Sequence, residues 1–329
     1  MKGDPEFCLI CATRGRTAEF ERLLGSLASQ TYPHFHVVLV DQNDDPRLDP
    51  IVEGYASRLS IRHIRAHEGV RGASRGRNTG LALAFGAGPD SALPPASSPD
   101  TIIGFPDDDC WYPPDLLERV AAFFQTHPKT EGLTGSARDA DDQPVGRWDK
   151  KAGPLTRSNV WTRGIAFALF LRAPTARRIG FFDEEIGPGS AGGFGAGEET
   201  DYLVRGIDLG ARSFYDPALV VRHPNKKYTE IGLTRAFAYG AGMGYVLRRR
   251  AFKPMEIGWA LVRPLLGAGL YLAAGNLYRS TYQFSSFRGR LWGYRNAGQS
   301  PPRGNPGGTM TLSGTMPSGA TMTEATPWK

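Results

Sequence analysis

Cysteine is scarce in this chain of 329 residues, and long uninterrupted apolar runs are missing. Three cysteines, Cys8, Cys11 and Cys110, are too few for a disulfide framework, so we expect a protein of a reducing compartment. Cys8 and Cys11 have a Cys-x-x-Cys spacing, but strand alternation would turn them to opposite faces, which favours core cysteines over a redox or metal pair. The N-terminal residues show no secretory signal pattern, so we expect a cytoplasmic protein.

Acidic residues are nearly missing from residues 245–298. This segment holds nine lysines and arginines against one acid, a net charge of +8, so the remainder carries −2 of the total of +6. Its apolar content favours an anionic membrane surface over nucleic acid as the partner. Its uninterrupted apolar part, residues 265–275, falls short of the roughly 20 residues that span a bilayer. We therefore expect helices lying on the inner face of the cell membrane, with a tilted span and a soluble helical cap as alternatives.

The strongest chemical signal is the acidic triplet Asp107, Asp108 and Asp109. The apolar run 102–105 predicts a buried strand before it, and two prolines open an amphipathic helix after it. The acids thus lie between the carboxyl end of a strand and a helix, where open α/β sheets bind ligands. Adjacent carboxylates repel one another, and their oxygens suit Mg²⁺ or Mn²⁺, so a shared cation is predicted. The alternative is a solvated acidic turn.

The triplet and the Tyr-Pro-Pro-Asp-Leu-Leu of residues 112–117 resemble the metal-binding Asp-x-Asp segment of GT-A glycosyltransferases of the inverting family 2. The resemblance extends over about residues 6–225. It implies an α/β fold with a mostly parallel central sheet flanked by helices, and a donor that is a UDP-, GDP- or dTDP-sugar. It also implies that Asp107 and Asp109 hold the divalent cation, Mg²⁺ or Mn²⁺.

This resemblance divides the chain into predicted parts. Residues 1–228 form the GT-A domain, with a nucleotide-binding half over 1–109 and an acceptor half over 110–228. Residues 229–298 form a basic and apolar helical appendage. The stretch 86–99 and the tail 299–329 are rich in small residues and proline, which predicts a flexible insertion and a disordered tail.

The residues predicted to meet the donor follow the strands of the nucleotide-binding half. Arginines after the first strand suit a diphosphate, and an acid after the second suits the base or ribose. Residues 77–80 resemble the Arg-Asn-x-Gly of the family, which lies beside the nucleotide. The alternatives are a surface arginine turn, a capping aspartate and a plain flexible loop. The predicted donor-binding set is Thr13, Arg14, Arg16, Asp41, Arg77, Asn78, Asp107 and Asp108.

Three acids open a predicted helix after the glycine-rich stretch 187–197, namely Glu198, Glu199 and Asp201. Acids at a helix start also gain from the helix dipole alone. Similar enzymes carry Glu-Asp-x-Asp at this place, with the second acid as catalytic base. The matching residue is Glu199, one methylene longer, and Glu198 and Asp201 stay open as alternatives. His223, after the last predicted strand, resembles a third metal ligand of such enzymes; a hydrogen-bonded surface histidine is the alternative.

The predicted function is inverting transfer of a sugar to a hydroxyl of a glycan or lipid-linked acceptor, in polysaccharide or cell-surface glycan assembly. One rival is a sugar-1-phosphate nucleotidyltransferase, although residues 13–16 match a triphosphate-binding loop poorly. Another is a non-catalytic nucleotide-sugar-binding protein, whose expected loss of the acids is not seen. A processive synthase is disfavoured because residues 143–148 have one residue too many for Gln-x-x-Arg-Trp and precede the catalytic acid.

Overall fold

The computed structural model describes residues 4–66, 71–86, 100–190, 192–225 and 228–298, without the side chains of residues 228–231. The predicted disordered tail, 299–329, and residues 87–99 of the predicted insertion lie outside these ranges.

The described residues form one sheet of eight strands. In chain order these are β1 (Phe7–Thr13), β2 (Phe35–Asp41), β3 (Ile61–Arg65), β4 (Ile102–Gly104), β5 (Gly132–Arg138), β6 (Gly153–Pro154), β7 (Leu169–Arg172) and β8 (Ser213–Arg222). Their order across the sheet is β3-β2-β1-β4-β7-β5-β8-β6. The first four strands are mutually parallel, as are β5 and β8, while β7 runs antiparallel to both of its neighbours. The predicted mostly parallel α/β sheet is confirmed.

Helices flank the sheet and extend beyond it. They are α1 (Ala18–Leu27), α2 (Asp49–Tyr55), α3 (Ala73–Ala84), α4 (Leu116–Thr126), α5 (Val160–Arg163), α6 (Ala173–Ile179), α7 (Glu198–Asp208), α8 (Tyr228–Arg249), α9 (Pro254–Ala273) and α10 (Leu277–Asn296). Strand β1 is apolar along most of its length because helices cover the sheet on both faces. Its alternate residues enter two separate cores.

The two cysteines of β1 confirm this alternation. Cys8 packs in one core and Cys11 in the other, and both are free thiols. Burial raises the pKa of the Cys8 thiol to about 12, with a further contribution from the charge of Glu6. A thiol in that state is a poor nucleophile and a poor metal ligand, as expected for a core residue.

The structure adds three features to the sequence prediction. Strand β7 is inserted between β4 and β5, which the sequence did not indicate. Strand β8 is long and has a register irregularity opposite residues 134–136. Helix α9 continues through Pro264. Proline has no N–H, so the carbonyl of Ala260 loses its helical partner, and a side-chain nitrogen of Arg290 donates to that carbonyl instead.

Helices α8 and α10 approach until their backbones touch. A Cβ at Gly240 or Gly244 of α8 would collide with the backbone of α10, and a Cβ at Gly289 or Gly293 of α10 would collide with that of α8. On another side of α8, Gly242 lies against the backbone of Ala196, directly before α7. The appendage is therefore packed against the segment that carries the predicted catalytic acids. Within the described ranges, no helix is long and apolar enough to cross a membrane.

Candidate active site

The acidic triplet lies at the carboxyl end of β4, beside the turn that follows the neighbouring parallel strand β1. The hydroxyl of Thr13 donates to Asp108 Oδ2 at 2.7 Å, and Arg16 pairs with Asp108 and, at 2.9 Å, with Asp109 Oδ2. Asp108 is buried, and burial raises its pKa although Arg16 and Thr13 oppose that rise. Asp108 therefore ties the triplet to the β1 turn.

Asp107, Asp109 and His223 could hold a metal ion, since one ligand atom from each lies within 4.8 Å of the others. His223 Nε2 is 3.1 Å from Asp109 Oδ1. Its Nδ1 is 2.9 Å from the carbonyl oxygen of Pro224, which can only accept, so Nδ1 donates and Nε2 faces the acids. The ring stacks on Phe167 with 4.9 Å between centroids. A metal-ligating histidine is commonly oriented by such a bond to its other nitrogen.

Arg77 connects the triplet to the acids of α7. It donates to Asp107 Oδ1 at 2.7 Å and to Glu198 Oε1 at 3.0 Å, and it is only 5% exposed. Burial lowers the pKa of Arg77, but the charges of Asp107 and Glu198 outweigh it and raise the pKa above its usual value. The triplet and the start of α7 thus lie on two sides of one guanidinium group.

The three acids of α7 have different surroundings. Glu198 is 4% exposed, and its Oε2 has no hydrogen-bond partner in the part of the chain that the structure describes. Asp201 is fully buried and accepts from Arg205 at 3.0 Å and from Arg250 at 3.1 Å. Glu199 is partly exposed, and burial of its carboxyl group and the neighbouring charge of Glu198 raise its pKa well above the usual range. Of the three residues, Glu199 is the least buried.

The glycine-rich segment before α7 is packed against the start of α3. The N–H of Ala73 donates to the Pro188 carbonyl at 2.9 Å, and the Ser74 hydroxyl donates to that of Ile186 at 2.8 Å. Gly187 has φ of 106°, and a Cβ there would lie 3.0 Å from the carboxyl carbon of Glu198. Glycine is therefore needed for the loop to pass this close to the acid.

The remaining predicted donor-binding residues have other partners, although Asp41 pairs with Thr13 in the sheet. Asp41 is buried and accepts from Asn43 Nδ2 at 2.7 Å and from His63 Nε2 at 3.0 Å. Asn78 is bonded twice to the backbone of Phe182, and Arg14 is exposed. The structure joins these predicted residues by direct contacts: Thr13, Arg16, Arg77, Asp107, Asp108, Asp109, Glu198 and His223.

Two residues at the site have no signal in the sequence. Arg22 donates to the backbone carbonyl of Asp109 at 2.9 Å and lies over the ring of Trp111 at 4.4 Å. Arg250 reaches Asp201 from the appendage. A contact between packed elements follows no sequence spacing, so no pattern could have predicted either arginine.

This sheet, with an acidic cluster after β4 and a second group of acids at the start of α7, defines a glycosyltransferase of the GT-A type. The sequence model of glycosyl transferase family 2 matches residues 8–178, just over half of the chain, and the chain belongs to this family. That assignment confirms the predicted enzyme class and disfavours the two rivals. No curated protein sequence matches the chain.

Solved structures of similar proteins agree on the fold. TarS of S. aureus, residues 1–349 in complex with UDP-GlcNAc, is 17% identical with a TM-score of 0.51, over 86% of this chain and 91% of that one. A longer S. aureus TarS structure is 18% identical with a TM-score of 0.56, over 85% of this chain and 55% of that one. The mannosyltransferase PcManGT from Pyrobaculum calidifontis, in complex with GDP-Man and Mn²⁺, is 17% identical with a TM-score of 0.55, over 88% of each chain.

Proposed function

We propose that this protein transfers a sugar, with inversion, from a nucleoside-diphosphate donor to an acceptor hydroxyl with the help of a divalent cation. The observation that carries the proposal is the bridge made by Arg77. Through this bridge, the start of α7 faces Asp107, Asp109 and His223. A donor that binds between a cation and a catalytic base requires such an arrangement.

The three proposed metal ligands fit a divalent cation in charge and chemistry. Two carboxylates and one neutral imidazole suit Mn²⁺ better than Mg²⁺, because Mg²⁺ prefers oxygen ligands only. When bound, the cation would neutralise charge on the departing nucleoside diphosphate. The PcManGT complex with Mn²⁺ and GDP-Man supports this proposal. Arg16 and Arg77 add fixed positive charge beside the acids.

Glu199 is the proposed base. The acceptor oxygen attacks the anomeric carbon, the bond from that carbon to the diphosphate oxygen breaks, and the hydroxyl proton passes to the Glu199 carboxylate. Asp201 is less suited because Arg205 and Arg250 bond to both of its oxygens. Glu198 is less suited because it is 4% exposed and its Oε1 already accepts from Arg77. The raised pKa of Glu199 brings its proton affinity nearer to neutral pH, where a general base is most effective.

The proposed donor is a UDP-, GDP- or dTDP-sugar, and the proposed acceptor is a glycan or a lipid-linked glycan at the inner face of the cell membrane. Helix α9 supports this location. Its residues Met255, Trp259, Val262, Leu266 and Leu270 follow helical spacing and are 83%, 61%, 45%, 54% and 73% exposed. We call this row the α9 stripe. An apolar row on a basic segment suits adsorption to anionic lipid.

Thermal unfolding with a panel of nucleoside diphosphates tests the donor and metal proposals together. One of UDP, GDP and dTDP should raise the melting temperature in the presence of Mn²⁺ and much less without it, since a ligand that binds only the folded state stabilises it. In the Asp109→Asn variant, the rise in melting temperature that depends on Mn²⁺ should disappear. The exposed Asp115→Asn variant should keep that rise. Equal shifts with and without Mn²⁺ would contradict the metal proposal.

A further inference from the structure

A cavity of about 840 Å³ lies among helices α8, α9 and α10, away from the candidate active site. Apolar and aromatic groups form most of its wall, and arginines supply its charge. The residues that matter here are Tyr239, Leu266, Gly267, Leu270, Arg263 and Arg290. Arg147, from the segment between β5 and β6, also lines it.

Arg290 is the unusual member of this wall. One of its terminal nitrogens donates to the Ala260 carbonyl that Pro264 leaves without a helical partner. Its buried Nε has no hydrogen-bond partner among the described residues. In the described part of the chain no carboxylate pairs with Arg290, and burial lowers the pKa of its guanidinium group. A buried charge with no counter-ion is costly, and a bound anion would offset that cost.

The surroundings add positive charge and no negative charge. Arg263 and Arg147 line the same cavity, and neither forms an ion pair with a described residue. The one acid of residues 245–298, Glu256, is engaged at the start of α9, where its Oε2 accepts from the Lys253 N–H at 2.9 Å. The cavity therefore favours an anion with more than one charge. Arginine groups match phosphate oxygens well in geometry.

The cavity also opens onto apolar surface. Leu266 and Leu270 line the cavity and belong to the α9 stripe. An anionic group near Arg290 would therefore have a continuous apolar path to the exposed side of α9. A free inorganic anion would use none of this path, whereas a lipid chain would cover it.

We propose that this cavity binds the phosphate ester of a lipid, with the phosphate near Arg290 and Arg263 and the acyl chains along Leu266 and Leu270. The proposal does not depend on the sugar-transfer reaction, since none of these residues belongs to the candidate active site. It gives the appendage a specific lipid site in addition to a general affinity for charged membrane.

Titration calorimetry on the full chain tests this with dioctanoyl phosphatidic acid kept below its micelle concentration. Dioctanoyl phosphatidylcholine and inorganic phosphate are the comparison probes. We expect one site that binds phosphatidic acid at least about tenfold more tightly than either. If phosphatidylcholine binds as tightly, the charge is not recognised and the proposal fails. If inorganic phosphate binds as tightly, the site is one for a free anion and the lipid is excluded.

A matched pair of glycine variants locates the site. Gly267 faces the cavity near Gln283, whereas Gly269, on the same helix, has open space around it. Gly267→Leu should fill the cavity and weaken phosphatidic acid binding by about tenfold or more, and Gly269→Leu should change it by no more than about twofold. Unchanged binding in Gly267→Leu would overturn the proposal.

A second pair tests the charge. Arg290→Gln should weaken phosphatidic acid binding, whereas Arg288→Gln, an exposed neighbour that does not line the cavity, should leave it unchanged. Equal effects of the two substitutions would contradict the assignment of the phosphate to Arg290. If the Arg290 variant does not fold, the glycine pair decides the question alone.

Discussion

Arg77 in the active-site cleft and Arg290 in the appendage are both largely buried arginines, but their surroundings are opposite. Arg77 lies between Asp107 and Glu198, whose charges raise its pKa. Arg290 meets a backbone carbonyl and no carboxylate of a described residue, and burial lowers its pKa. The net charges of the two regions differ in the same sense. Residues 245–298, in the appendage, carry +8, and the rest of the chain, which contains the active-site cleft, carries −2. In the cleft, two acids of the chain neutralise the buried arginine. In the appendage, we expect a bound partner to supply the negative charge.

The largest expected effect is on the rate of sugar transfer in the active-site cleft. Glu199→Gln keeps the shape of the side chain but removes the base, so kcat should fall by about 10³-fold. Donor binding, measured by thermal shift, should not change. Glu199→Asp should keep much more activity because a carboxylate remains. If Glu199→Gln stayed active while Asp201→Asn did not, the base would be Asp201.

The next prediction sets the two arginines directly against each other. Arg77→Gln leaves Glu198 buried without a counter-charge, and the free energy of unfolding should fall by about 3 kcal/mol. Arg290→Gln removes a cation that has no carboxylate partner in the described ranges and takes the donor from the Ala260 carbonyl, so it should cost about 1 kcal/mol. Urea unfolding of both variants, without lipid, measures the difference. Similar losses of unfolding free energy would show that the charges of the two buried arginines are compensated to the same extent.

The pH dependence of the rate tests the environment of Glu199. A base must be unprotonated, so kcat/KM should fall by about tenfold per pH unit below the raised pKa of Glu199. Glu198 raises that pKa by its charge, so Glu198→Gln should lower it and move the fall in rate to lower pH. Glu118→Gln, at an exposed position on α4, should leave the profile in place. An unmoved profile in the Glu198 variant would contradict the coupling of the two acids.

The sequence predicted those parts of the fold and site that depend on local pattern. The apolar runs of β1 and β4, the acids after β4 and the acids opening α7 each occupy one short segment. Local pattern did not predict contacts between distant segments; the grouping of His223 with Asp107 and Asp109 came from the family resemblance. The insertion of β7 into the sheet and the contact of Arg77 with Glu198, 121 residues away, come from packing of the whole chain.

Pro264 shows the same limit within the appendage. Read locally, a proline should end a helix, because it removes an N–H and crowds the preceding turn. The helix continues because Arg290, 30 residues from Ala260, donates to the carbonyl that proline leaves free. Local rules state what a proline costs, and only the tertiary structure shows what offsets that cost.

The smallest expected effect is on membrane adsorption, and it sharpens the view that the appendage needs a partner. Trp259 is 61% exposed on the α9 stripe and does not line the lipid cavity. The Trp259→Ser substitution should therefore weaken binding to phosphatidylglycerol vesicles, measured by co-sedimentation, by about fivefold. Leu209→Ser, at an exposed position just after α7, is the matched control and should change nothing. Binding should also fall as salt rises, because basic residues contribute. Equal binding of wild type and the Trp259 variant would exclude the α9 stripe as the membrane contact while leaving the cavity untouched.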